Sequence, residues 1–176
     1  EVEELIKDTT VPPFIISFYI TSKIYWFIEL NQIEQANNFL ASYNIESNKE
    51  INFSYEMAYA AYARLLIHQY KLTEAESLLN ELYSFAIANN EVDRMIELDL
   101  SFTEIYELTG QREKAVERLL KVLEMTAREN QLFNLVFWSE KLKDVLSEVY
   151  KIHATTKTKI PQKFMNKLQQ TIKNEE

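Results

Sequence analysis

The side chains best suited to moving a proton or holding a metal at neutral pH are histidines, and this chain has two, His68 and His153. They stand 85 residues apart, so no local metal pair forms from them. Cysteine is absent, which removes thiolate nucleophiles, thiolate metal sites and disulfides together. Carboxylates come close in sequence at Glu74/Glu76 and at Asp93/Glu97/Asp99. Asp93 and Glu97 share a helical face at i, i+4, but no nucleophile with a base beside it can be read near them. These acids read as solvated helix faces and as first-turn groups favourable to the helix dipole. A single glycine, Gly110, cannot build a Gly-rich phosphate cradle. The expectation is a chain that is not an enzyme, with no metal site and no cofactor of its own. Ten Tyr, ten Phe and two Trp invite stacking on sugar rings. Trp26, Phe27, Tyr43, Phe85 and Phe102 are nevertheless spaced as core, and Tyr55, Tyr59 and Tyr62 fall on one helical stripe that reads as a buried face.

Charge narrows the partners. The chain of 176 residues has a formal charge of −8, with the acids gathered before residue 141 and a net basic stretch after it. An acidic bulk repels a phosphate backbone, and the basic stretch is dilute and mixed with acids, so no direct nucleic-acid contact is expected. The longest apolar run, FIISFYI at 14–20, is far shorter than the roughly 20 residues of a membrane span, so no membrane is expected. Lack of Cys fits the cytoplasm. The opening EVEELIKD, without Met, reads as a piece of a longer protein.

The elements that must position these residues are helices. One Gly and three Pro are too few for the turns of a sandwich or barrel. Apolar residues recur at helical spacing and predict helices at about 13–30, 32–44, 52–69, 73–89, 91–108, 111–128 and 133–150, with a weaker one after Pro161. Short connections predict antiparallel neighbours. Three stretches align on an alanine: ELNQIEQANNFLASY (29–43), HQYKLTEAESLLNELY (68–83) and ELTGQREKAVERLLKVL (107–123). Ala36, Ala75 and Ala115 lie 39 and 40 residues apart, with Leu40, Leu79 and Leu119 four residues on, and Tyr43, Leu82 and Val122 seven on. Ten residues before each alanine come Trp26, Leu65 and Ile105, the first helix's expected share of the seam. A small alanine lets the second helix of a pair approach the first closely. Gly110, five residues before Ala115, is expected to cap the first helix at positive φ, a place held by Asn31 and Tyr70 in the other two stretches.

Alanine, the two following apolar positions and the turn glycine resemble tetratricopeptide repeats with a period lengthened to about 40 residues. The segments FIELNQIEQANNFLASYNI (27–45), YEMAYAAYARLLIHQYKLTEAESLLNELYSFAIANN (55–90) and the run from Met95 to Tyr150 resemble the repeat domain of maltose-regulon-activator-type regulators of the LuxR group. Within that run Phe133, Phe137 and LKDVL resemble the end of the array, and IPQKFMNKL (160–168) looks like the connector to a DNA-binding domain. Asn31 and Tyr70 depart from the glycines usual in that family. The resemblance implies an all-α fold, a right-handed superhelix of stacked antiparallel helix pairs. It also implies three segments: 1–12 the end of a preceding helix or linker, 13–150 the repeat domain, and 151–176 a connector. ATP would belong only to a preceding domain of the regulator.

In stacked pairs of this kind the first helices line a concave groove. Counting eleven residues back from each alanine places Tyr25, Arg64 and Glu104 in it, and counting seven back places Glu29, His68 and Leu108; Glu29, Glu97, Glu104 and Glu107 would make it acidic and favour a basic peptide. Arg64 and His68, one turn apart, would present donors to an acceptor-rich ligand. The implied function is an effector-sensing or oligomerising repeat domain of a bacterial transcriptional regulator. It would bind a small molecule or peptide, contact other domains of the same regulator and be capable of self-association. A peptide- or protein-binding scaffold with no transcriptional role is the alternative.

Overall fold

The computed structural model describes residues 11–45, 51–129 and 132–175, and among them every regular element is helical. The elements are α1 (Pro13–Glu29), α2 (Ile33–Ser42), α3 (Glu56–His68), α4 (Leu72–Ala88), α5 (Val92–Leu108), α6 (Arg112–Glu129), α7 (Phe133–Trp138), α8 (Lys143–Thr155) and α9 (Gln162–Glu175). Contacts divide the chain into unit 1, through residue 89, and unit 2, from residue 90. The stretch expected to end a preceding helix, 1–12, lies outside the described residues except for its last two positions. The boundary expected at 150/151 falls inside α8, and residues 151–176 belong by contact to unit 2.

In unit 1, α1 packs on α2 and α3, and α3 packs on α4. Helix α3 is buried over most of its circumference: Ala58, Ala60, Ala61, Ala63, Leu65, Leu66 and Ile67 are all core. A helix buried on most sides has to lie between others, and its alanines let α1 and α4 come close. Ser17 of α1, itself buried, accepts the backbone N–H of Ala58 on its Oγ at 3.1 Å. That N–H lies in the first turn of α3, where no intrahelical acceptor exists and where the capping residue Tyr55 offers no side-chain bond. A serine one helix away therefore caps α3.

Unit 2 joins α5 to α6, α6 to α8 and α7 to α9. Its core runs through Ile96 and Leu100 of α5, Leu119 and Val122 of α6, Trp138 of α7, Val145 and Val149 of α8, and Phe164 and Leu168 of α9.

Three turns repeat one geometry. Asn31 (φ 53), Tyr70 (φ 58) and Gly110 (φ 70) are left-handed. At each, the turn residue's N–H reaches the carbonyl three back, and the next N–H reaches the one five back: Gln32 to Phe27, Lys71 to Leu66 and Gln111 to Tyr106, at 2.8–2.9 Å. This is the paired hydrogen bonding of a Schellman cap. The carbonyls of Gln32, Lys71 and Gln111 then accept the N–H of Ala36, Ala75 and Ala115. One residue thus closes one helix with its N–H and opens the next with its carbonyl. Asn44 (φ 53), with Ile45 bonding back to Leu40, ends α2 the same way.

Three sequence expectations need correction. The helix expected over 133–150 is two, α7 and α8, separated by a turn at 139–142. Ser139 sends both its N–H (3.2 Å) and its hydroxyl (2.7 Å) to the Val136 carbonyl, a tighter i−3 link that stops the i−4 ladder. Apolar spacing alone ran unbroken through that turn. The helix expected from 52 starts at Glu56, because the Asn52 side chain accepts the Ser54 N–H at 3.0 Å and folds the chain into an Asx turn. Trp26 does not fill the first seam and is 52% exposed. The buried stripe of α1 is Ser17, Ile20, Ile24 and Ile28, and a residue two from both Ile24 and Ile28 points to the opposite side of a helix.

Candidate functional site

The residues expected in a groove divide between the units, Tyr25, Glu29, Arg64 and His68 in unit 1 and Glu97 and Glu104 in unit 2. In unit 1 the first pair lies near the end of α1 and the second near the end of α3, helices that pack together. Glu29 and His68 are exposed and Tyr25 is half-buried. The Nε2 of His68 lies 3.2 Å from Oδ1 of Asn31. An amide oxygen accepts, so this contact is made with Nε2 as the donor. Asn31 therefore serves twice, its backbone capping α1 and its side chain orienting the ring. Arg64, read from the sequence as a donor presented to a ligand, is only 5% exposed. It forms part of the interior of unit 1, and neither it nor Tyr25 is without an interaction inside the protein.

In unit 2, Glu97 and Glu104 stand two turns apart on α5, both half-buried. Glu97 takes the guanidinium of Arg94, one turn before it. Glu107, also expected to add acid to the groove, binds Arg112 through both carboxylate oxygens at 2.6 Å. The Nε of the same Arg112 reaches Glu148 at 2.7 Å. One guanidinium fork thus ties the end of α5, the start of α6 and the middle of α8. Its pKa is raised, first by the bond to Glu148 and despite partial burial. Acids that the sequence offered to a basic partner are spent on the protein's own arginines.

Asp99 is the functional-type residue that the sequence reading misplaced. Expected on a solvated face, it is fully buried and paired with Arg118 and with Lys121 Nζ at 3.2 Å. Burial pulls the Arg118 pKa down, and the charge and hydrogen bond of Asp99 more than reverse it. Arg118 also lies over the Phe102 ring, 4.6 Å from its centroid. A signal existed in the sequence. Asp99 and Lys121 are equidistant from Gly110, and residues equidistant from the turn of an antiparallel helix pair face one another.

His153 fastens the other end of unit 2. Its Nδ1 faces the Thr158 hydroxyl at 2.5 Å and its Nε2 faces Oε1 of Gln162 at 3.1 Å, linking α8, the following loop and α9. The two histidines lie in different units, and among the described residues no group of three or more His, Cys, Asp or Glu is placed to hold a metal ion. No helix among them is long and apolar enough to cross a membrane. The clefts among the described residues of unit 2 include two. One, of about 430 Å³, is polar and opens beside Arg112, Asp144 and Lys151. The other, of about 590 Å³, lies against Leu146, Tyr150 and Ile172. The expected groove residues line neither.

No protein-family model, curated protein or solved structure matches the chain.

Proposed function

We propose that the chain is the effector-sensing helical-repeat domain of a bacterial transcriptional regulator, built as a tetratricopeptide-like right-handed superhelix with a period of about 40 residues. The observation that carries the reading is the recurrence of one turn. A left-handed residue at 31, 70 and 110, five residues before a fully buried alanine at 36, 75 and 115, closes one helix and opens the next each time. Independent folds have no reason to repeat a cap at intervals of 39 and 40 residues; stacked units do. The resemblance of the same segments to maltose-regulon-activator-type regulators supplies the functional context. The effector binds where first helices present polar side chains, and in unit 1 the exposed pair is Glu29 and His68. An effector acts by favouring one of two states of the whole regulator, so its affinity must differ between them.

The experiment is a thermal-shift screen of this chain with oligosaccharides, small metabolites, and basic and acidic peptides. A ligand at 100 times its dissociation constant adds about 2.7 kcal/mol of stability. The expected result is a shift with one small-molecule class that Glu29→Gln abolishes without lowering the melting temperature of the free protein, and that His68→Ala, which also removes the contact with Asn31, abolishes as well. Shifts with peptides alone would replace the sensor with an interaction scaffold. The buried Arg64 is unsuited to this test, since its removal disturbs the core.

A further inference from the structure

The cleft between α8 and α9 has the features of a ligand site that the regulator reading neither uses nor requires. Its volume, about 590 Å³, is that of a small-molecule pocket. On α8, Lys143, Leu146 and Tyr150 follow at i, i+3 and i+7, so one face of the helix supplies a cation, an apolar side chain and an aromatic ring to the lining. On α9, Ile172 and Lys173 repeat the arrangement, an apolar side chain beside a cation. Lys143 pairs with Glu140 at 2.9 Å, which leaves the lining with the single positive charge of Lys173. That local sign opposes the −8 of the whole chain.

The second observation is the Tyr150 hydroxyl. It is shut off from water and, among the described residues, meets no hydrogen-bonding group. Buried polar atoms without partners are uncommon, and each one calls for a reason. Elsewhere in unit 2 the buried hydroxyls of Thr103 and Thr126 are satisfied by carbonyls of their own helix. Loss of solvation also pushes the Tyr150 pKa up to about 12, so the group stays a neutral O–H donor throughout the neutral range. A neutral donor among apolar side chains, in a cleft that also has a lysine in its lining, fits an acceptor that carries negative charge and is attached to an apolar body.

We propose that the α8–α9 cleft binds a small amphipathic carboxylate, its apolar body against Leu146 and Ile172, its carboxylate accepting from the Tyr150 hydroxyl and facing Lys173. Such binding requires the side chains that close over the hydroxyl to turn aside. The ligand is defined by this chemistry, a monoanion with an alkyl or aryl body, and not by membership of a pathway.

Isothermal titration of the chain with octanoate and with phenylacetate, against 1-octanol and phenylethanol as neutral counterparts, tests it. Saturable binding of at least one carboxylate is expected, at least tenfold tighter than its alcohol. Tyr150→Phe keeps the ring and removes the orphaned group. It should leave the melting temperature of the free protein unchanged or raised while weakening carboxylate binding at least tenfold. A purely structural role for Tyr150 would not separate those two readouts. Lys173→Gln, at an exposed position, should bring the carboxylate down to the affinity of the alcohol and leave the alcohol unaffected. Equal affinity for acid and alcohol, unchanged binding by Tyr150→Phe, or no saturation at low millimolar concentration would each overturn the proposal.

Discussion

The described links of units 1 and 2 show two ways in which packed helices are joined. The described polar links between helices of unit 1 include neutral hydrogen bonds: Ser17 to Ala58, His68 to Asn31, and Gln69 to Asn37 at 2.8 Å. Those of unit 2 include ion pairs, with Asp99 between Arg118 and Lys121 and Arg112 between Glu107 and Glu148. The composition of the helices explains the difference. Helix α3 is so rich in alanine that backbones approach and a short serine can reach across. Helix α6 offers long Arg and Lys side chains to α5, and a charge that enters the interior must bring its counter-charge with it. The lesson is that a shared helix-pair pattern dictates where helices meet and leaves open what joins them.

The largest test of this contrast removes the central charge. Asp99→Ala leaves two cations facing a buried vacancy and should cost about 3 kcal/mol, the scale of breaking a buried ion pair. The corresponding change in unit 1, Ser17→Ala, orphans one first-turn N–H and should cost about 1 kcal/mol. Urea denaturation of both variants measures the ratio; equal losses would break the distinction between the units.

Where the units should agree is at the alanines. Ala75→Leu and Ala115→Leu each force a larger side chain into a fully buried contact and should destabilise by about 2 kcal/mol. A tolerated leucine at either position would show that close helix approach is not what the alanine provides there.

The turns differ more finely. Tyr70 and Gly110 share a left-handed backbone, which costs a residue with a side chain about 1–2 kcal/mol and glycine nothing comparable. Tyr70→Gly should therefore stabilise by about 1 kcal/mol, and Gly110→Ala should destabilise by a similar amount. No atom lies within 4 Å of where the added methyl group would sit, so the second effect is conformational and not steric. Thermal melts of the two variants should move in opposite directions.

The smallest expected effect is alkaline. Tyr150 has its pKa raised from 10.0 to about 12 by burial. The folded state holds this proton more tightly than the unfolded chain. The associated stability is complete below pH 10 and is lost as pH rises through 12. Because the ring is partly exposed, solvent reduces the loss. Tyr150→Phe should show a shallower fall in stability over that window than the parent chain, and parallel curves would refute the assignment.

Much of this architecture was legible in the residues, for identifiable reasons. Helical periodicity depends on local geometry, so Ile20, Ile24 and Ile28 or Leu78, Leu79 and Leu82 announce their helices without reference to anything distant. The capping turns at Asn31, Tyr70 and Gly110 could be placed because the alanine five residues on marks them, whatever residue fills the turn. Two helix boundaries were not legible. The start of α3 and the break between α7 and α8 depend on which of two acceptors a single polar side chain chooses, Asn52 in one case and Ser139 in the other. Trp26 was misplaced because spacing from one alanine says nothing about which stripe of α1 meets α3.

Sequence by itself determined that the chain is helical, that three of its turns fall at residues 31, 70 and 110, and that no cysteine is present to carry thiolate chemistry. These follow from side-chain type and spacing along a single helix. Tertiary structure alone decided that Arg64 and Asp99 are interior, that Glu97 and Glu107 are bound by the protein's own arginines, and that the Tyr150 hydroxyl is left without a partner beside a cleft. Burial and pairing are properties of what the other helices bring, and a helix carries no record in its own periodicity of the charge that will face it.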